Sequence, residues 1–120
     1  MKWAIRLTRL ARADIAAAWM HFSQSSSEEV ADAWQEGLET EITRLSLFPT
    51  SLPVAEENAF FFKTTYRLLY RRTRRGPAYQ IFFILQTSPD DAPTVRVMHI
   101  RHAARAPMTR LEARVIESSE

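Results

Sequence analysis

Three apolar runs in the second half of the chain constrain its fold more than any other feature. They read Tyr66-Arg67-Leu68-Leu69-Tyr70, then Tyr79-Gln80-Ile81-Phe82-Phe83-Ile84-Leu85-Gln86, then Thr94-Val95-Arg96-Val97-Met98-His99-Ile100-Arg101-His102. Each is rich in β-branched and aromatic residues, which suit a pleated, half-buried surface. Arg75-Gly76-Pro77 punctuates the first gap and Pro89-Asp90-Asp91-Ala92-Pro93 the second. Connections this short cannot hold a crossover helix, so the three strands must pair antiparallel. Residues 64–105 therefore form the frame, and the rest of the chain must cover it.

The first half supplies the cover. Trp3, Ile5 and Leu7 alternate with Lys2, Ala4 and Arg6, the period of a short strand. Thr8 suits a helix N-cap. Ala11, Ile15, Ala18 and Phe22 then recur at helical spacing, which predicts a first helix over 9–24. The serine run 25–27 breaks it, and Ser26 with Glu29 reads as a capping box. Val30, Trp34, Leu38, Ile42, Leu45 and Phe48 predict a second helix over 27–47, ended by Pro49. So short a link makes the two helices an antiparallel hairpin. Residues 50–58 read as a loop. Beyond Pro107, which stops the last strand, Met108, Leu111 and Val115 mark a possible short helix over 108–116, with residues 117–120 frayed. The expected fold is one α+β domain over residues 1–120. Its order is β-α-α-β-β-β with a short C-terminal helix, and the helical hairpin packs on one face of a mainly antiparallel sheet.

Several function classes drop out. The chain has no cysteine, which removes disulfides and thiolate metal sites and fits a reducing compartment. No apolar run approaches the roughly 20 residues of a membrane span, and the first ten residues lack the apolar core of a signal peptide. The expected location is cytoplasmic, with no membrane partner. Two glycines cannot build a phosphate-binding glycine loop, and no Gly-x-Ser-x-Gly elbow occurs. Of the three histidines, His99 and His102 lie three apart in a strand and point to opposite faces. No metal and no cofactor are expected.

The charge is polarised along the chain. Residues 9–48 carry seven acids and three bases; from residue 49 onward eleven bases face seven acids, and residues 58–89 have no acid at all. Such a distribution suits an anionic partner. Metal-free RNA cleavage needs a general base, a cation to stabilise the crowded phosphate, and an acid for the leaving oxygen. Arginine fits the second role and histidine the others. Arg67, Arg101, His102 and Arg105 supply that mixture. Against it, Arg71, Arg72, Arg74 and Arg75 ring a hairpin tip, where solvated arginines blunt a sheet edge. Likewise Tyr66, Tyr70 and Tyr79 pack a sheet as readily as they stack on bases. Phe60, Phe61 and Phe62 cannot all face one core from a strand, so at least one is expected outside it or over an edge; the functional alternative is a landing spot for a partner chain.

Five segments, in order, carry a family resemblance. They are Ala11-x-x-Asp14-Ile15, Leu45-x-x-Phe48-Pro49, Tyr66-Arg67-Leu68-Leu69-Tyr70, Tyr79-Gln80-Ile81-Phe82-Phe83, and Val95 through Arg105 with its His102-Ala103-Ala104-Arg105 ending. Over residues 3–108 the chain resembles the ParE/RelE superfamily of toxins from type II toxin–antitoxin modules, often called plasmid stabilisation proteins. The resemblance implies a growth-inhibiting toxin held inactive by a cognate antitoxin. ParE-like members bind DNA gyrase; RelE-like members cleave mRNA on the ribosome with several Lys/Arg residues plus a Tyr or His. After Arg105 this chain has Ala106-Pro107 and no aromatic residue, which favours the ParE-like reading. Arg67, His102 and Arg105 keep the nuclease as the alternative, and a member no longer toxic is the third. The antitoxin tail is expected to dock at Phe60, Phe61 and Phe62 and at a free sheet edge.

Overall fold

A computed structural model describes residues 2–120. The elements are β1 (Ala4–Leu7), α1 (Arg9–Ser25), α2 (Glu28–Arg44), β2 (Tyr66–Tyr70), β3 (Tyr79–Ser88), β4 (Asp91–His102) and α3 (Arg110–Ser118). Two 3-10 turns, Pro49–Ser51 and Glu56–Phe60, join α2 to β2. The sheet order is β1-β4-β3-β2. β2, β3 and β4 run antiparallel, as their short turns require, whereas β1 lies parallel to β4: the helical hairpin carries the chain from β1 across to the opposite edge strand β2, and two antiparallel turns bring it back to β4.

The hairpin covers one face of the sheet. Trp34, Leu38 and Ile42 of α2 and Ala11 and Ile15 of α1 pack on Ile81, Phe83, Val95 and Val97. On the opposite face, Phe82, Ile84 and Met98 are buried beneath Phe61, Met108, Ala113 and Ile116. The domain thus has three layers, with α3 and the second 3-10 turn forming the third. This explains why Ile81-Phe82-Phe83-Ile84 is continuously apolar: each residue is at most 1% exposed, since both faces of β3 are covered.

The local chemistry differs from the sequence expectations in five places. Ser27, not Ser26, caps α2, its hydroxyl accepting from the Val30 N–H at 3.1 Å. Ser26 is already committed to closing α1, donating its N–H to the Phe22 carbonyl. α2 stops at Arg44 rather than residue 47, and Phe48 is left exposed. The third difference is the β3–β4 connection: pairing runs to Ser88 opposite Asp91, so only Pro89 and Asp90 form the turn. Fourth, α3 buries Ala113 and Ile116 while Leu111 and Val115 face outward. It starts at a capping box in which Thr109 and Glu112 satisfy each other's backbone N–H groups. The C-terminal residues are engaged, not frayed. Glu117 accepts from the Phe62 and Lys63 N–H groups, and the Ser119 carbonyl accepts from Arg96.

Candidate functional site

The four basic residues singled out from the sequence fall on two faces of the sheet. Alternation along β2, β3 and β4 places Arg67 opposite Phe82 and His99, on the α3 face. On that same face Arg101 lies opposite Gln80. Arg101 is only 4% exposed. Its guanidinium donates to Glu112 Oε2 at 2.9 Å and to the Ala106 carbonyl at 2.6 Å. The Arg101 hydrogen bond, helped by the Thr109 N–H, holds the Glu112 carboxyl down at about 2. Arg101 is thereby committed to fastening α3 and its leading loop to β4.

His102 lies on the hairpin face, edge-on to Tyr79 with ring centroids 5.1 Å apart. Its Nδ1 accepts the Ala104 N–H at 2.9 Å, which holds the turn that follows β4. Arg105 is exposed and approaches the same Glu112 oxygen, Oε2, more loosely, at 3.6 Å. Arg67 sits across β3 from His99, two residues out of register with Arg101. Its side chain is half-buried with Nε unpartnered, and its backbone N–H donates to the Pro53 carbonyl at 3.1 Å. The structure therefore brings Arg101 and Arg105 together around one carboxylate, places His102 on the other face, and leaves Arg67 two strands away. Among the described residues, no group of three His, Asp or Glu side chains can hold a metal ion.

The first helix contributes a residue whose role sequence reasoning missed. β1 ends opposite Val97, so the rest of β4 lacks a strand neighbour on that side. The start of α1 takes its place. Thr8 donates its N–H to the Val97 carbonyl and its hydroxyl to the Met98 carbonyl. Asp14 Oδ2 accepts both His99 Nδ1, at 2.6 Å, and the Ile100 N–H, at 3.0 Å. His99 is also stacked on Phe82, and its Nε2 is buried without a partner. The pair is 85 residues apart in sequence; the one available signal was the Ala-x-x-Asp pattern at the start of α1.

The three phenylalanines separate. Phe61 is 8% exposed and belongs to the core beneath α3. Phe60 is half-buried, with the Arg110 guanidinium 4.9 Å from its ring centroid. Phe62 is 78% exposed, with Arg114 stacked over its ring at 3.8 Å.

Comparison with known proteins agrees with this architecture. No curated protein matches the chain. Among solved structures, a chain of the chromosomal ParDE TA system from P. aeruginosa is similar, with a TM-score of 0.63 at 15% identity. The match covers 84% of this chain and 96% of that one, and at this identity it speaks to the fold alone. The family model for the ParE toxin of the type II toxin-antitoxin system, parDE, matches residues 5–107. That span takes in β1 from Ile5, the helical hairpin, β2, β3 and β4; α3 lies beyond it. With most of its length matched, the chain belongs to the family of ParE toxins of type II toxin–antitoxin systems.

Proposed function

We propose that this chain is a ParE-like toxin that acts by gripping a protein target, DNA gyrase, and that a cognate antitoxin neutralises it. The observation that carries this reading is the fate of Arg101 and His102. One is buried in an ion pair beneath α3, and the other is turned to the opposite face and bonded to its own turn. A nuclease built on Arg67, Arg101, His102 and Arg105 needs those groups around a single phosphate. Their present commitments favour binding over cleavage. Membership of the ParE family points the same way.

The antitoxin reading extends to a place. Phe62, exposed beside Arg114, and the outward-facing Leu69 of edge strand β2 are the parts of the original docking prediction that a partner can reach. Pro53, Val54 and Ala55 already cover the start of that edge, so an incoming strand would continue from Leu68 onward.

The deciding experiment uses purified chain in two assays. Gyrase supercoiling should be inhibited, while mRNA on translating ribosomes stays intact. Unaffected supercoiling together with cleaved mRNA would overturn the proposal in favour of a ribosome-dependent endonuclease. If neither assay responds and expression without a partner leaves growth unchanged, the chain is a member that has lost its toxicity.

A further inference from the structure

We propose that Arg6 and Arg96 form a phosphate-binding site at the β1 edge of the sheet, suited to the backbone of a single-stranded nucleic acid. This goes beyond the toxin reading and does not rest on it. Arg6 on β1 and Arg96 on β4 are direct partners in the parallel ladder. Ile5 and Leu7 pack toward the hairpin, so alternation sends Arg6 to the α3 face, where Arg96 also lies opposite Ile84. Two like charges placed opposite one another in a sheet repel. Neither arginine has a carboxylate within ion-pair distance among the described residues. The single polar bond that Arg96 makes goes to the neutral Ser119 carbonyl, where it suits the C-terminal end of α3 but leaves most of its donors free.

Both arginines line one cavity of about 250 Å³, together with Thr8, Gln86 and Glu120. A second cavity of about 600 Å³ shares Arg6 and Gln86 with the first and is lined also by Lys63 and Asp91. The three cations thus follow a continuous trough, with an amide donor where its two parts meet. An anion seated between Arg6 and Arg96 would remove the repulsion that the register imposes, and arginine forks match phosphate oxygens well. A trough with a further cation beyond the first pair fits successive phosphates of a strand better than one free ion. Glu120 and Asp91 are the opposing charges, and neither is paired to these cations. The arginines at the hairpin tip make no comparable site: they are exposed, and Arg71 bonds the Gly76 carbonyl of its own turn.

The test is fluorescence anisotropy of the full chain with a labelled single-stranded oligonucleotide across a salt series, with inorganic phosphate as competitor. Each lost phosphate contact lowers the slope of log affinity against log salt by about 0.7 for a single strand. Arg6→Gln should therefore flatten the slope by about 0.7 and Arg6→Gln with Arg96→Gln by about 1.4. Arg72→Gln with Arg74→Gln should leave it unchanged. Arg6 is exposed on an edge strand, so its variant remains informative even if loss of Arg96 loosens α3. Phosphate should compete for the wild type and not for Arg6→Gln. A slope insensitive to Arg6, or sensitive instead to the hairpin arginines, overturns the proposal, as does absence of binding by both probes. Phosphate binding that needs Arg6, without oligonucleotide binding, keeps the anion site and overturns the strand.

Discussion

Asp14 of α1 holds two groups of β4 at once, His99 Nδ1 at 2.6 Å and the Ile100 backbone N–H at 3.0 Å. It acts as a side-chain substitute for the strand that β1 is too short to provide. Removing it orphans a buried ring nitrogen and a backbone donor, and an unsatisfied buried group costs about 1–3 kcal/mol. Asp14→Ala is expected to lower stability by about 2 kcal/mol or more. Asp14→Asn should cost less, since its amide oxygen can still accept one of the two bonds. Urea unfolding of both variants checks the order. Equal stability of Asp14→Ala and wild type would remove this role.

Tyr70 of β2 donates its hydroxyl to the Trp34 carbonyl at 2.9 Å, passing over Gly37. Burial also pushes the Tyr70 phenol up from its ordinary value. A Cβ at residue 37 would run into the Tyr70 hydroxyl oxygen. Glycine in mid-helix normally costs about 1 kcal/mol relative to alanine, so Gly37→Ala would stabilise α2 if space allowed. Here it is expected to destabilise. Tyr70→Phe should lose the hydrogen bond, about 1 kcal/mol, yet accept alanine at residue 37 with little further loss. A thermal-melt double-mutant cycle reads that coupling; strict additivity would contradict the close approach.

Glu112 titrates far below its ordinary 4.5, at about 2, first because Arg101 bonds it and then because of the Thr109 N–H. A carboxyl whose pKa is lowered on folding stabilises above its unfolded value. That contribution fades as pH falls from about 4.5 toward about 2. Since about a third of the side chain is exposed, solvent screening limits the effect to about 1 kcal/mol. In Glu112→Gln, stability should be lower at pH 7 and should fall less between pH 5 and pH 2.5 than in the wild type. Melting curves at the two pH values test this. An unchanged wild-type pH dependence in the variant would show that the Arg101 pair contributes nothing.

The elements that hold the fold were readable because their signals are local. The apolar runs of β2, β3 and β4, the spacing of Trp34, Leu38 and Ile42, and the Thr8 cap each lie within a few residues. The parallel pairing of β1 with β4 was not readable, and with it went the juxtaposition of Arg6 and Arg96, because register is a tertiary property. The same holds for Asp14 with His99 and for Arg101 with Glu112: proximity of charges across a sheet leaves no trace in spacing. The buried face of α3 was misread for a different reason. Leu111 and Val115 continue a helical spacing from Met108, but the small Ala113 lets the helix approach β4, and Ile116 falls on the same side. Thr109 with Glu112 was a local capping signal that could have placed the start of α3 correctly.

Phe61 and Phe62 are adjacent and apolar, yet they should respond oppositely to the same change. Phe61 fills the core between Phe82 and α3, and truncating a buried phenylalanine costs about 3–5 kcal/mol. Phe61→Ser is therefore expected to unfold the chain or strip α3 from the sheet, so loss of a partner in that variant says nothing about docking. Phe62 contributes only its contact with Arg114, and an exposed cation–π pair is worth about 0.5–1 kcal/mol. Phe62→Ser should leave the melting temperature within a few degrees of wild type. If the antitoxin tail docks there, the same variant should co-purify with less antitoxin when the two are co-expressed. Normal co-purification with Phe62→Ser, in a protein that melts normally, would move the antitoxin interface elsewhere, with the β2 edge at Leu69 the next surface to alter.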